Sequence, residues 1–427
     1  MSYNSLSDAQ LREILEQENN KLNKFIQDGV KLDMARGKPG ADQLDLSEGM
    51  LDVISVNDDC FADDATDCRN YGGLEGIMSA RKLFAEVYGV NYENIILGGN
   101  SSLNMMYDTI ARAFTFGMCD SVHPWCKEEK IKFLCPAPGY DRHFAICELF
   151  GIEMVTVPLN DDGPDMKVVA DYVNNDSTVK GIWCVPKYSN PTGIVYSDDV
   201  VRAFASLEPA APDFRIFWDN AYAIHDLYDD VKLLSILDEC KKSGKPNMPI
   251  MFGSTSKITY PGSGVALMAA SVDNLEFFKK QMSIQTIGPD KINQLRHFNF
   301  FKNKQGVIEH MKKHADILRD KFEAVIGALD EQLGDSGVAT WTRPLGGYFI
   351  SFDSSLGVAS DIYELCLKAG LTLTKVGATF PYGNDPDNKN IRIAPSFPDV
   401  AQLKAAVERF IVCVKIASIN KILSERK

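Results

Sequence analysis

The chain has 427 residues, a formal net charge of −13 at pH 7 and a hydrophobic fraction of 45%. This length and composition favour a soluble globular protein of two or three domains. The negative charge argues against a nucleic-acid partner or an anionic membrane surface. We find no charged-then-apolar signal segment and no apolar run of about 18 residues, so we expect a cytoplasmic location and no membrane partner.

Ten cysteines are scattered along the chain, and no Cys-x-x-Cys pair occurs. The six histidines do not flank cysteines at metal-ligand spacing. We therefore expect reduced thiols, rather than a metal site or a disulfide framework.

The first predicted element is an amphipathic helix that runs to Ile26, with Ser7 and Asp8 as candidate caps and Gly29 as its stop. A glycine- and proline-rich crossing segment follows at residues 32–40, and a helical pattern runs from Leu74 to Tyr88. Strands are then predicted at Asn94–Leu97, Lys132–Cys135, Glu153–Val157, Gly181–Val185, Arg215–Trp218, Pro249–Phe252 and Val265–Ala269.

Because most of these strands alternate with helical segments, the sequence predicts an α/β fold with a mostly parallel sheet between helices. Functional residues should then gather at the carboxyl ends of the strands. The pattern changes beyond about residue 300. There a long helix, Asn303–Leu333, leads to a strand pair at 339–343 and 347–352, a short strand around Arg392 and a terminal helix from Asp399.

Polar residues do follow four of the predicted strands. They are Tyr140, then Asn190, then Asp219 with Tyr222, and last Ser254 and Ser256 with Lys257. A lysine at the end of a buried strand can lose part of its hydration, which lowers its pKa and suits it for a covalent cofactor bond. An isolated Ser-x-Ser-Lys is more often a solvated loop, so this interpretation depends on the other groups.

A further candidate site is Gly98-Gly99-Asn100-Ser101-Ser102, between a predicted strand and a predicted helix. Exposed N–H groups and the positive end of a helix dipole would favour an anion there. The segment lacks the Gly-Lys-Ser/Thr ending of a P-loop and the spacing of the dinucleotide fingerprint.

Four motifs, in this order and spacing, resemble those of class I, fold-type I aminotransferases that depend on pyridoxal 5′-phosphate (PLP). They are Asn190-Pro191-Thr192-Gly193, Asp219-x-x-Tyr222, Ser254-x-Ser256-Lys257 and the late Arg392. The similarity covers nearly the full chain. Longer stretches look closest to the bacterial aspartate aminotransferase subgroup called type Ic, namely Arg36–Pro39, Arg69–Gly73, Pro138–Phe144, Val185–Gly193 and Ile391–Ser396.

The resemblance implies roles for the residues around the cofactor ring. Lys257 would form the Schiff base and move the proton at the substrate α-carbon. Asp219 would pair with the ring nitrogen, and Asn190 and Tyr222 would hold the 3′-oxygen. Tyr140 would stack on the ring face.

The resemblance also implies a phosphate site and a second subunit. The expected phosphate partners are Asn100, Ser101, Ser102, Ser254 and Ser256, together with Tyr71, which would reach across from the other subunit. The active site would therefore lie at the interface of a homodimer. Many class I enzymes carry a phosphate-binding arginine eight residues after the lysine, which this chain lacks, so the phosphate should depend on hydroxyls, the helix end or another cation.

For the substrate, the resemblance implies a bidentate pair between Arg392 and the α-carboxylate, with Gly37 presenting its backbone and Asn190 nearby. The substrates would be an amino acid, aspartate or glutamate, and a 2-oxo acid, 2-oxoglutarate or oxaloacetate, in a ping-pong cycle. The residue that binds the distal carboxylate is left open among Arg36, Lys38, Lys187, Lys291 and Arg296.

The resemblance further predicts a large PLP-binding domain at residues 51–302. A small α+β domain would be built from residues 1–50, which carry the first helix, and residues 303–427. Three alternatives stay open: a PLP-dependent lyase or decarboxylase on the same fold, a PLP-binding sensor module, and a cofactor-free structural relative. The absence of a basic helix-turn-helix segment counts against the sensor, and the intact Lys257, Asp219 and Asn190 count against the cofactor-free relative.

Overall fold

The computed structural model describes residues 2–426. Its α-helices are α1 (Asp8–Asp28), α2 (Ala41–Asp45), α3 (Met78–Tyr88), α4 (Ser102–Phe116), α5 (Asp141–Leu149), α6 (Met166–Asn175), α7 (Asp198–Ser206), α8 (Ile236–Lys242), α9 (Val272–Gln285), α10 (Lys291–Phe301), α11 (Lys304–Leu333), α12 (Ala359–Lys368) and α13 (Val400–Glu425). Its strands are β1 (Leu32–Asp33), β2 (Ile95–Leu97), β3 (Lys132–Ala137), β4 (Glu153–Asn160), β5 (Gly163–Pro164), β6 (Val179–Cys184), β7 (Arg215–Asp219), β8 (Pro249–Ser254), β9 (Ala266–Ala270), β10 (Ala339–Trp341), β11 (Ile350–Ser354), β12 (Leu371–Thr372) and β13 (Asn390–Ile393).

The central sheet has eight strands in the order β2-β9-β8-β7-β6-β3-β4-β5. The five strands from β8 to β4 run parallel, whereas β9 lies antiparallel between β2 and β8, and β5 is antiparallel to β4. Strands β6, β7 and β8 are buried along their whole length, as expected for a sheet covered on both faces. The predicted α/β architecture with a mostly parallel sheet is confirmed.

Local chain signals explain two helix boundaries. The side chain of Ser7 accepts from the backbone N–H of Gln10 in a capping box, and Gly29 ends α1 in the left-handed region with φ 65°. The helix predicted at Leu74–Tyr88 is α3, and its predicted start is wrong, because α3 begins at Met78. Gly76 has φ 92° and Ile77 is extended, and neither conformation continues a helix.

The two ends of the chain pack together in a second, smaller layer. Strand β1 pairs in parallel with β12, and β11 lies between β10 and β13 in a three-stranded antiparallel sheet. One apolar core joins Leu11 and Leu22 of α1 to Phe410 and Ile411 of α13. The domain boundaries near residues 50 and 302 stay predictions.

Helix α11 joins the two layers. Its first half contributes Val307 and Met311 to the core beneath the central sheet, and its second half contributes Leu318 and Phe322 to the core of the smaller layer. This shared helix fixes the smaller layer against the carboxyl edge of the sheet. Among residues 2–426, the helices fall short of the length and apolar character that a membrane span requires.

Candidate active site

Lys257 lies three residues beyond the end of β8, at the carboxyl edge of the central sheet. Its backbone carbonyl accepts hydrogen bonds from His225 Nε2 and from the Tyr348 hydroxyl, each at 3.3 Å. Its Nζ lies 5.0 Å from the centroid of the Tyr222 ring. Burial lowers the pKa of the Lys257 amine, and the nearby Asp219 carboxylate only partly opposes this effect. Two hydrogen bonds therefore hold the main chain of this lysine, and burial shifts its amine towards the neutral form.

Asp219 is the last residue of β7 and is only 3% exposed. His143 Nε2 donates to its Oδ2 at 3.0 Å, and the His143 ring stacks on Trp183 with centroids 4.4 Å apart. The other carboxylate oxygen, Oδ1, is buried and has no hydrogen-bond partner among the described residues. A buried acceptor without a donor is costly, so it fits a protonated ring nitrogen such as that of PLP.

Three further residues predicted to contact the cofactor ring lie around Asp219 and Lys257. Tyr140 is the N-cap residue of α5, with its ring 4.9 Å from His143, and burial raises the pKa of its hydroxyl to about 12. Burial also raises the pKa of Tyr222, and Tyr140 and Asp219 add to this effect. Asn190 Oδ1 accepts from Arg392 Nη1 at 3.2 Å. Both tyrosines are thus hydrogen-bond donors at neutral pH.

The predicted phosphate end is built from a helix start and a chain of hydroxyls. Ser101 is the N-cap residue of α4, but its side chain does not cap the first turn, so N–H groups of that turn stay available to an anion. Ser254 Oγ donates to Ser256 Oγ at 3.0 Å, and Ser256 Oγ donates to the carbonyl of Asn100 at 3.1 Å. Ser102 begins the helix itself.

The side-chain amide of Asn100 is not free, because it donates to backbone carbonyls of a neighbouring segment. Its Nδ2 lies 3.3 Å from the carbonyl of Pro261 and 3.4 Å from that of Gly262. These residues belong to the segment in which the phosphate arginine of other class I enzymes is missing. A phosphate at this end would therefore rely on α4 amides and serine hydroxyls more than on the Asn100 side chain.

Arg392, the predicted partner of the substrate α-carboxylate, lies in β13. Its Nη1 lies 3.0 Å from Asp141 Oδ1, and its Nε and Nη2 lie 3.3 and 3.1 Å from Thr374 Oγ1. Its guanidinium carbon is 4.9 Å from the centroid of the Phe349 ring. A Cβ added at Gly37 would lie 2.1 Å from Phe349 Cζ, so only glycine lets this backbone lie against the ring beside Arg392.

Within one chain, Tyr71 does not contact the other predicted site residues. Its side chain is 84% exposed, on the loop that precedes α3. Of the candidate distal cations, Lys291 Nζ donates to the carbonyl of Gly72 at 2.7 Å. Lys187 Nζ pairs with Asp226 Oδ1 at 2.8 Å, so both lysines already have partners in the chain.

Sequence reasoning missed the residues that support the expected functional groups, namely Asp141, His143, His225, Tyr348 and Thr374. Asp141 and His143 lie inside the Pro138–Phe144 stretch that carries the resemblance. Their partners are 251 and 76 residues away in sequence, and no spacing rule links such positions.

The fold and the grouping at its sheet edge define the class of protein as a fold-type I aminotransferase. Residues 6–426 match the family model described as aspartate amino-transferase, and the chain belongs to that family.

Relatives with known names support this assignment along the whole chain. An aspartate aminotransferase of Corynebacterium glutamicum is 46% identical over 399 residues, which cover 93% of this chain and 92% of that protein. The crystal structure of an aspartate transaminase from C. glutamicum superposes with a TM-score of 0.95 at 44% identity and covers 99% of each chain. The α-aminoadipate aminotransferase LysN of Thermus thermophilus, complexed with N-(5′-phosphopyridoxyl)-L-leucine, shares the fold, with a TM-score of 0.74 at 20% identity over 95% of each chain.

Proposed function

We propose that this protein is a PLP-dependent aminotransferase that exchanges an amino group between aspartate or glutamate and the 2-oxo acids 2-oxoglutarate or oxaloacetate. The observation that carries the proposal is the unpaired, buried Asp219 Oδ1 at the sheet edge that also holds Lys257. When bound, PLP supplies the aldehyde that accepts the amino group and a ring that withdraws electrons from the substrate α-carbon.

In this proposal Lys257 is the general base and acid at the α-carbon. A lysine can take a proton only in its neutral form, and the lowered pKa of Lys257 increases that form near neutral pH. Asp219 keeps the ring nitrogen protonated by charge pairing, and His143 orients the carboxylate through its hydrogen bond at 3.0 Å. Asn190 and Tyr222 are assigned to the 3′-oxygen and Tyr140 to the ring face.

Arg392 is assigned to the substrate α-carboxylate, with Gly37 and Asn190 beside it. Its side chain is nearly buried, and a planar guanidinium in such a place binds a carboxylate through two parallel hydrogen bonds. The preference for aspartate is supported by the name of the C. glutamicum relative, which is 46% identical.

We further infer a homodimer whose two sites each borrow Tyr71 from the other subunit. The support is that Tyr71 is 84% exposed on one chain, although the resemblance assigns it to the phosphate. Ser101, Ser102, Ser254, Ser256 and the backbone of Asn100 would supply the remaining phosphate contacts.

The test is to incubate the PLP-loaded protein with aspartate and 2-oxoglutarate and to quantify all products. We expect equal amounts of oxaloacetate and glutamate. Release of ammonia or carbon dioxide in place of glutamate would assign a lyase or a decarboxylase instead. Borohydride reduction followed by peptide mapping checks the cofactor separately, because the adduct should lie on Lys257.

A further inference from the structure

Arg392 already faces a carboxylate of its own chain, that of Asp141. The distance between Arg392 Nη1 and Asp141 Oδ1 is 3.0 Å. Within residues 2–426 this contact is the only hydrogen bond or ion pair of the Asp141 side chain. The Arg392 side chain is 9% exposed and that of Asp141 is 33% exposed, so the carboxylate is the more accessible partner.

The guanidinium has little capacity left for a second anion. Of its five N–H groups, two on Nη1 contact Asp141 and Asn190, while Nε and one on Nη2 contact Thr374. One Nη2 hydrogen has no acceptor among the described residues. Because a bidentate carboxylate needs two parallel N–H groups, an incoming carboxylate must replace either one of the Nη1 contacts or the Thr374 contacts on Nε and Nη2.

Asp141 is the contact best suited to leave. Two carboxylates on one guanidinium repel each other, whereas the buried amide of Asn190 is neutral. Asp141 is also the first residue of α5, where the helix dipole favours a negative charge after the side chain turns to water. In the absence of substrate, the same carboxylate neutralises a nearly buried cation that would be costly to leave unpaired.

We propose that Asp141 is an internal competitor for the carboxylate subsite of Arg392. It neutralises Arg392 in the ligand-free protein, and the α-carboxylate of the substrate displaces it. This inference rests on the proposed function and extends it by naming the group that limits the affinity of the site for carboxylates. Thr374, and not Asp141, orients the guanidinium. Its Oγ1 accepts hydrogen bonds from both Nε and Nη2 of Arg392 and donates to the carbonyl of Ala35 at 3.0 Å.

The test compares the affinity of succinate, a dicarboxylate that cannot be transaminated, for PLP-loaded wild type and for Asp141→Asn by calorimetry. Because a partly exposed ion pair is removed from the competition, we expect the Kd of the variant to be about three- to tenfold lower. The KM for aspartate should fall by a similar factor without a rise in kcat. Thr374→Val should act in the opposite direction and weaken succinate binding.

Asp198→Asn is the matched control, since Asp198 also lies in a first helical turn and pairs with an arginine, Arg202 at 3.2 Å, on an exposed surface. It should leave the Kd unchanged. Equal, weaker or undetectable binding of succinate to Asp141→Asn overturns the inference. Failure of this inference can be told apart from failure of the proposed function. If the proposed function fails, wild type does not transaminate aspartate, whereas the ratio of the two Kd values for succinate is measured without turnover.

Discussion

The two ends of the candidate site are built differently. At the strand-borne end, Asp219 ends β7 and Lys257 follows the adjacent parallel strand β8, and His143, His225 and Tyr348 hold them within one chain. At the other end, which we call loop-borne because Ser101 and Tyr71 lie in loops, Ser254 Oγ donates to Ser256 Oγ and Ser256 Oγ donates to the carbonyl of Asn100, while Tyr71 extends into solvent. The chain thus completes the proton-transfer end by itself, whereas we expect the phosphate end to need a second copy.

The severest test of the strand-borne end is Lys257→Ala. Without the base that moves the α-proton, we expect kcat to fall by about 10⁴-fold. Steady-state transamination measures the loss, with thermal unfolding as the check on folding. Lys304→Ala, which alters an exposed lysine at the start of α11, is the control and should retain full activity.

Arg392→Ala should have the next largest effect, a loss of about 2–5 kcal/mol in kcat/KM, because a charge-assisted bidentate pair is removed. Most of the loss should appear in KM for the amino acid. Arg392→Lys should recover only part of it, since lysine keeps the charge but not the planar fork. Unchanged kinetics in Arg392→Ala would remove this residue from the site.

His143→Leu separates the support of Asp219 from substrate binding. Loss of a hydrogen bond to a buried carboxylate costs about 1.5–3 kcal/mol, so kcat should fall by about 10- to 100-fold. The Kd for succinate should stay constant, because His143 does not touch Arg392. His123→Leu changes a half-exposed histidine and serves as the control. An equal loss in both variants would contradict a specific role for His143.

Tyr71→Phe addresses the loop-borne end and should be milder, because one neutral hydroxyl contact is worth about 0.5–1.5 kcal/mol. We expect a raised Kd for PLP, measured by equilibrium dialysis. Mixing Tyr71→Ala with Lys257→Ala subunits tests the borrowed tyrosine directly. A mixed dimer would contain one site with both intact residues, so activity should rise above that of either variant; no rise would argue that Tyr71 serves its own chain.

The smallest effect concerns stability. Burial lowers the pKa of Lys257 in the folded protein below its ordinary 10.5, which the unfolded chain keeps. Between the folded and the unfolded pKa the unfolded chain binds more protons, so the free energy of unfolding rises with pH. Cofactor-free Lys257→Met should therefore be more stable than cofactor-free wild type at neutral pH, and its advantage should shrink as the pH approaches 10.5. Urea unfolding across this range measures it, with Lys304→Met as the control. A constant advantage would contradict a depressed pKa.

The regular elements and the strand-borne residues could be predicted from the sequence, because they depend on local periodicity. Buried runs such as 132–135 and 249–252 fall inside β3 and β8, and the helix predicted at Asn303–Leu333 corresponds to α11, which begins at Lys304 with Asn303 as its N-cap. The two-residue strands β1 and β12 could not be found, since pairing across 339 positions leaves no local trace.

The same limit applies inside the site. The positions of Lys257 and Asp219 at strand ends follow from the alternating pattern, and their roles follow from the resemblance. The contacts of Asp141 with Arg392 and of His143 with Asp219 depend on how the two layers and the sheet come together. Only the folded chain brings such distant residues within hydrogen-bond distance.

The most direct test of the central claim is a single half-reaction. PLP-loaded protein is mixed with aspartate alone, and the products are quantified per subunit. An aminotransferase of this kind should release one equivalent of oxaloacetate and then stop, with the cofactor recovered as pyridoxamine phosphate, until 2-oxoglutarate restarts it. Continued turnover without 2-oxoglutarate, or no release of oxaloacetate at all, would contradict the proposed function.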